Sequence, residues 1–130
     1  MLETLLVIAF LNSSSTLPNI ENLEKTTIEE KLLVAHSNKS CGQATYYDPW
    51  YHNRTTSNGD IYNRYGLSAA LADDLPFGKY KVTHKGHSVI VKGNDRGAFS
   101  PRIIDLSEQA FINLAGSTEK GVIHVCLERL

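Results

Sequence analysis

Three acidic residues stand in settings suited to chemistry: Asp60, Asp95 and Asp105. Asp95 sits beside Arg96 in Asn94-Asp-Arg-Gly-Ala-Phe99, just after the apolar run Val89-Ile-Val91. Asp60 closes the polar stretch Thr55-Thr-Ser-Asn-Gly-Asp60, and Asp105 follows Arg102-Ile-Ile104. Charged groups on glycine-punctuated loops between strand ends suit a polar ligand, although the same pattern also makes a salt-bridged turn. Arg96 and Arg102 have the same two readings, as ion-pair partners of these acids or as donors to substrate oxygens. Asp105 precedes Ser107 and a helical pattern, so it is expected first as the cap of that helix, with contact to substrate as the other reading. Among the aromatics, Trp50 and Tyr51 stand in a long polar loop, where aromatic faces can pack against sugar rings. Tyr46 and Tyr47 read equally well as part of a half-buried strand.

Other chemistries find no support. The five histidines, at 36, 52, 84, 87 and 124, lack metal-ligand spacing, and two distant cysteines do not make a zinc site. No Ser/His/Asp arrangement assembles, and neither cysteine has an activating histidine beside it in the chain. No metal and no cofactor are expected. With 13 basic and 14 acidic residues the net charge is −1, which gives no electrostatic case for nucleic acid. No apolar run approaches the roughly 20 residues of a membrane span.

The elements that must hold these groups are short. Gln43–Tyr47 reads as a strand, Asp48–Asn63 as a long polar loop, and Leu67–Leu71 as a short strand or turn. Gly78–Thr83 and His87–Lys92 form a hairpin across Lys85-Gly86, after which Gly93 is expected to break the strand. Leu106, Ala110, Phe111 and Leu114 recur at helical spacing, with Gly116 as a stop, and Gly121–Leu127 closes the chain as a strand. Short strands, Gly-rich turns and one short helix indicate an all-β fold, a small barrel, over 41–130. Ahead of it, residues 1–16 carry an apolar run of signal-peptide length, with Glu3 where a basic residue is usual. Residues 17–40 read as a polar spacer. Cys41 and Cys126 bracket the barrel, either as a disulfide, if the first and last strands are neighbours, or as two buried thiols.

The ordered motifs carry a resemblance. Gly42-Gln-Ala-Thr-Tyr-Tyr47, Thr55–Asp60, Leu67-Ser-Ala-Ala70, Leu75-Pro-Phe-Gly78, Asn94–Phe99 and Arg102-Ile-Ile-Asp-Leu-Ser107 follow one another in order. Together, over 41–130, they resemble the double-psi β-barrel domain of bacterial rare lipoprotein A, a barrel shared with expansins and barwin-like proteins. The resemblance implies a six-stranded barrel with one or two short helices. It also implies an endolytic lytic transglycosylase that cuts peptide-free peptidoglycan strands and leaves 1,6-anhydro ends. Such a reaction needs a proton donor for the leaving oxygen and a base for the C6 hydroxyl. The family pattern puts acids at the positions of Asp60 and Asp95, with Asp95 expected as acid/base and Asp60 assisting. It also puts a histidine where Leu71 stands. The implied setting is the bacterial cell envelope, periplasmic or secreted, as a monomer. No lipobox cysteine follows the apolar run, so no lipid anchor is expected. The rival expectations are an expansin-like glycan-binding module that uses Trp50, Tyr51 and Asp95, and a barwin-like barrel that binds or inhibits a protein.

Overall fold

A computed structural model describes residues 27–30, which are helical, and residues 39–130. The chain divides into two units, Met1–His36 and Ser37–Leu130. The signal-like segment and most of the expected spacer lie outside the described residues. The second unit contains β1 (Lys39–Tyr46), a 3-10 turn (Pro49–Tyr51), β2 (Ser68–Leu71), β3 (Gly78–His84) and β4 (His87–Arg96). These are followed by β5 (Arg102–Leu106), α1 (Glu108–Ala115) and β6 (Ile123–Arg129). The barrel therefore begins at Lys39, a little ahead of Cys41. Among the described residues, no helix is long and apolar enough to cross a membrane.

The six strands close into a barrel in the order β1-β5-β2-β4-β3-β6. Two of the pairings, β1 with β5 and β2 with β4, are parallel, and the other four are antiparallel. Alternation along β3 and β4 sends Tyr80, Val82, Val89 and Val91 inward. Ala44, Ala69, Leu71, Ile104, Leu106, Ile123, Val125 and Leu127 complete the interior, and α1 covers it with Ala110, Phe111 and Leu114. The β3–β4 hairpin turns at Lys85 and Gly86, both at positive φ (47° and 83°), as a tight two-residue turn between right-twisted strands requires.

Cys41 lies opposite Cys126 on the β1–β6 ladder, and the two are joined in a disulfide. That resolves the two readings of these cysteines. Linking residues 85 apart in sequence constrains the unfolded chain by about 4–5 kcal/mol in the chain-entropy picture.

Two expectations need correction. Gly93 does not end its strand: β4 runs on to Arg96, and Asp95 and Arg96 pair with Ala70 and Leu71 of β2. The glycine is there for close approach, because a Cβ at 93 would lie 2.6 Å from Leu71 Cδ1 and 3.1 Å from the Gly78 carbonyl oxygen. Asp105 does not cap the helix. It lies within β5, and Ser107 is the N-cap, its hydroxyl accepting from the Ala110 N–H at 3.3 Å.

This packing predicts a measurable coupling. Gly93→Ala should cost about 1–3 kcal/mol by overpacking, and Leu71→Ala about 2–5 kcal/mol by leaving a cavity. The double variant should cost clearly less than the sum, because each change relieves the other. Urea unfolding of the oxidised full chain measures all three, and strict additivity would show that the two side-chain positions do not share space.

Candidate active site

The site is built on β2. Ala70 faces Asp95 of β4 on one side and Asp105 of β5 on the other. Residues paired across a ladder point to one face, so both acids project on the same side, flanking the Ala70 methyl and the two tyrosine rings that lie over it. Two strand spacings set their backbones about 10 Å apart. Ala70 is buried there beneath Tyr47 and Tyr62, whose rings stack at 4.2 Å and 9°. Leu71, the next residue, points the other way and is fully buried in the core. The position where the resemblance implies histidine therefore faces the barrel interior in this chain.

Asp95 is half-buried and gathers four hydrogen bonds. One oxygen accepts from the Tyr47 hydroxyl (2.7 Å), and the other from the Ser57 N–H (2.8 Å), the Ser57 hydroxyl (2.6 Å) and the Arg96 N–H (2.9 Å). Burial alone would push its pKa up, but the hydrogen bonds from Ser57, Tyr47 and Arg96 outweigh burial and hold the carboxyl below its ordinary range. Tyr47, buried against that carboxylate, has its own pKa raised, by burial first and by Asp95 second.

Asp105 behaves in the opposite way. Burial raises its pKa, the Asp95 charge adds to the rise, and only the Thr45 hydroxyl and the Arg102 charge oppose it. Thr45 Oγ1 donates to Asp105 at 2.7 Å, and Arg102 Nη1 donates to that same hydroxyl oxygen at 3.2 Å. On either side of Ala70 thus stand two carboxyls, Asp95 with its pKa lowered and Asp105 with its pKa raised. That asymmetry suits general acid–base work.

The other residues singled out from the sequence fall into separate places. Asp60, on the loop between β1 and β2, lies beside β4, ion-paired to Lys92 Nζ at 2.8 Å and accepting from Asn94 Nδ2 (3.0 Å) and Asn58 Nδ2 (3.2 Å). Those contacts, Lys92 first, lower its pKa to about 2. Trp50 and Tyr51 are exposed on the 3-10 turn, whose first free N–H is capped by Asp48. Tyr51 meets Tyr47 edge-on at 5.8 Å, so the exposed aromatics lead directly to the carboxylates, and the Arg54 guanidinium covers one face of Trp50. Arg96 is turned away from this face. Its Nη1 donates to the carbonyls of Ala72 (2.8 Å) and Leu75 (2.5 Å), and its guanidinium lies 4.3 Å over the Phe77 ring, so it fixes the loop after β2.

Reading the sequence missed Tyr47, Ser57 and Thr45 as partners of the acids. Ser57 had a signal in its motif, since it lies in the same polar run as Asp60. Tyr47 had none, because a buried phenol and a packed strand tyrosine look alike in sequence.

Comparison with known proteins bears on the same residues. A family model described as lytic transglycolase matches residues 39–127. A probable endolytic peptidoglycan transglycosylase RlpA of Synechocystis is 44% identical over 91 residues, covering 67% of this chain and 28% of that protein. The endolytic peptidoglycan transglycosylase RlpA of Pseudomonas aeruginosa is 42% identical over 98 residues, covering 72% of this chain and 28% of its own length. That of Vibrio cholerae is 42% identical over 91 residues, covering 67% and 34% respectively. The chain thus spans about a third or less of these relatives. Among solved structures, a Streptomyces papain inhibitor superposes with a TM-score of 0.58 at 22% identity, over 69% of this chain and 92% of its own. An expansin of Clavibacter michiganensis in complex with cellohexaose gives 0.57 at 19%, over 71% and 50%. At such identities the likeness concerns the fold alone.

The Asp60 contacts predict a pH signature. A lowered folded pKa stabilises the native state fully above the ordinary 3.8, and that contribution is lost as pH falls toward about 2. Asp60→Asn should lower the melting temperature at neutral pH, and the gap from the unaltered protein should close across that acid window. Thermal unfolding followed by circular dichroism across the window tests this, and a gap independent of pH would rule out the ion-pair account.

Proposed function

The chain belongs to the lytic transglycolase family, and on that premise we propose that it cuts peptidoglycan glycan strands endolytically, leaving 1,6-anhydro ends. The preferred substrate is strands free of stem peptides, cut between N-acetylmuramic acid and N-acetylglucosamine. The relatives named as peptidoglycan transglycosylases match over the barrel itself, which supports the reading. The observation that carries it is the pair of acids paired with Ala70 from both sides, with the Asp95 pKa lowered by its hydrogen bonds and the Asp105 pKa raised by burial.

The duties follow from those states. Asp105 gives its proton to the glycosidic oxygen as the C1–O bond breaks, so the leaving sugar departs as a neutral alcohol. Asp95, already an anion, stabilises the cationic sugar and takes the C6 hydroxyl proton as O6 bonds to C1. No water enters the bond, and one proton passes from one carboxyl to the other by way of the substrate. Solvent exchange restores the starting state. This allocation differs from the expectation that Asp95 acts as both acid and base with Asp60 assisting. Four hydrogen bonds favour the Asp95 anion, and Lys92 neutralises Asp60. Tyr47 and Thr45 position the two acids, and Trp50 and Tyr51 offer faces to neighbouring rings. The reading places the protein in the bacterial envelope, periplasmic or secreted, and acting as a monomer. The Cys41–Cys126 disulfide suits an oxidising compartment.

A second reading, a barrel that grips glycan without cutting it, is favoured by one observation: Leu71 is a core residue where the resemblance implies histidine. One experiment separates the two. The full chain is incubated with purified peptide-free glycan strands, the soluble products are identified by mass, and retention on strands is measured by pull-down. Anhydro-ended fragments are expected, and Asp95→Asn and Asp105→Asn should each lower their release by about 10²–10⁴-fold while strand retention persists. Strands retained but intact would establish the binding module.

The pH profile assigns the roles. Cleavage requires Asp105 protonated, so kcat/KM should fall as pH rises through its raised pKa, and should fall on the acid side only below the ordinary carboxylate range, where Asp95 protonates. An alkaline limb unchanged in Tyr47→Phe, with an acid limb moved upward, would fit Asp95 as base. The reverse pattern would exchange the two assignments.

A further inference from the structure

The Cys41–Cys126 bridge stands on the outside of the barrel. Alternation turns Lys39, Cys41 and Gln43 of β1 outward, and His124, Cys126 and Glu128 of β6 likewise. Cys41 is exposed and Cys126 half-buried. Across the sheet from Cys126 on its other side is Thr83 of β3, so Cys41, Cys126 and Thr83 form one row over three strands. Against that row lies a cavity of about 280 Å³, whose lining includes Lys39, Lys81, Thr83, Cys126 and Glu128. None of the duties assigned above uses it.

This place suits attack by a thiolate. A sulfur anion breaks a disulfide by approaching along the S–S axis, from the side away from the sulfur that leaves. At Cys126 that approach runs over Thr83, a small side chain at the cavity. In the neighbouring row, Lys39 and Lys81 stand on either side of Glu128. Both lysines are exposed, and among the described residues neither is in an ion pair. Glu128 offsets one of their charges, so the rim keeps a net positive charge. Such a rim draws in an attacking thiolate and stabilises the one that leaves.

We propose that Cys126 is an entry point for thiol–disulfide exchange with a protein that carries a pair of thiols, and that the exchange sets the stability of the barrel. The incoming thiolate bonds to Cys126 Sγ, the S–S bond breaks, and its electron pair leaves on Cys41 Sγ, which takes a proton from solvent. The partner's second thiolate then attacks its own sulfur in the mixed disulfide and releases Cys126 as a thiolate. The bridge gains two electrons and the partner's dithiol becomes a disulfide. A single thiol is a poor agent here, because Cys41 is held opposite and displaces it again. The effect reaches the acids through one strand: β1 carries Thr45, the partner of Asp105, and leads directly into Tyr47, the partner of Asp95. The inference goes beyond the glycan reading and does not rest on it.

The test mixes the oxidised full chain, under native conditions, with a thioredoxin whose resolving cysteine is replaced by serine, and adds N-ethylmaleimide to cap the freed thiol. Peptide masses are expected to place the partner on Cys126 and the cap on Cys41, and the opposite placement would overturn the entry point. Thr83→Phe fills the approach and should slow adduct formation about tenfold or more. Lys81→Gln should slow it about threefold, an effect that disappears in 1 M salt. Rates unchanged in both variants would overturn the role of the cavity. Leu71→Ala weakens the core without touching this face, so it should leave the rate unaltered. An acceleration of about 30-fold or more, in step with its lost stability, would show that the sulfurs are reached only by unfolding and would overturn the proposal. Reduction by the intact dithiol protein should lower the melting temperature by about 20 °C. An unchanged melt would overturn the bridge as a control on the barrel.

Discussion

A half-buried carboxylate must collect donors or lose its charge, and Asp95 is the group around which this barrel meets that demand. The backbone N–H of Arg96 lies along the same strand, but one donor is too few. The rest come from elsewhere: a phenol at the end of β1, and a serine hydroxyl and N–H from the loop between β1 and β2. That requirement draws the 53–62 loop across β4 and lays Tyr47 under it. Once Tyr47 is in place, Tyr62 stacks on it, and the Tyr62 hydroxyl accepts from the first N–H of α1. Arg64 then reaches Glu108 through two parallel hydrogen bonds. The loop, the aromatic stack and the start of the helix are thus ordered by contacts that lead back to one anion.

The second acid depends on the first by contrast. Asp105 has one hydroxyl partner where Asp95 has four hydrogen bonds, and it lies within the field of an anion that stays charged. Ala70 is buried between them beneath Tyr47 and Tyr62, so a larger side chain there would press on the aromatic stack. The interior side of the same short strand is filled by Leu71, which lies against Gly93. Four residues of β2 therefore set both the packing density of the core and the spacing of the acids. They leave little room for a change at 70 or 71 that affects only one of the two.

Much of the barrel was legible from patterns with a local cause. The Lys85-Gly86 turn, the alternation through Val89 and Val91, and the Ala110, Phe111, Leu114 spacing each depend on near neighbours, and each was found about where expected. Gly93 misled because a glycine that ends a strand and one that lets a leucine approach look the same until the leucine is placed. Asp105 misled for a related reason: an acid two residues before a helix can cap it, but Ser107 stands closer and does so. Of the candidate site, the acids were visible through their motifs. Their opposite electrostatic states were not, because those depend on Tyr47, Ser57 and Thr45, residues 48, 38 and 60 positions away from their partners.

A sheet that closes on itself has no rim. In the order β1-β5-β2-β4-β3-β6, every strand among the described residues has a neighbour on each side, so no row of unpaired N–H and C=O groups is left to accept an added strand. A partner chain cannot join this domain by extending its sheet, one of the commonest ways in which extended peptides are captured. Recognition must then run through side chains standing off the barrel, and the 48–67 segment gathers five exposed large ones: Trp50, Tyr51, Ile61, Tyr65 and Leu67. Closure thus protects the domain from strand-mediated aggregation and leaves recognition to the loops and side chains that stand off the barrel.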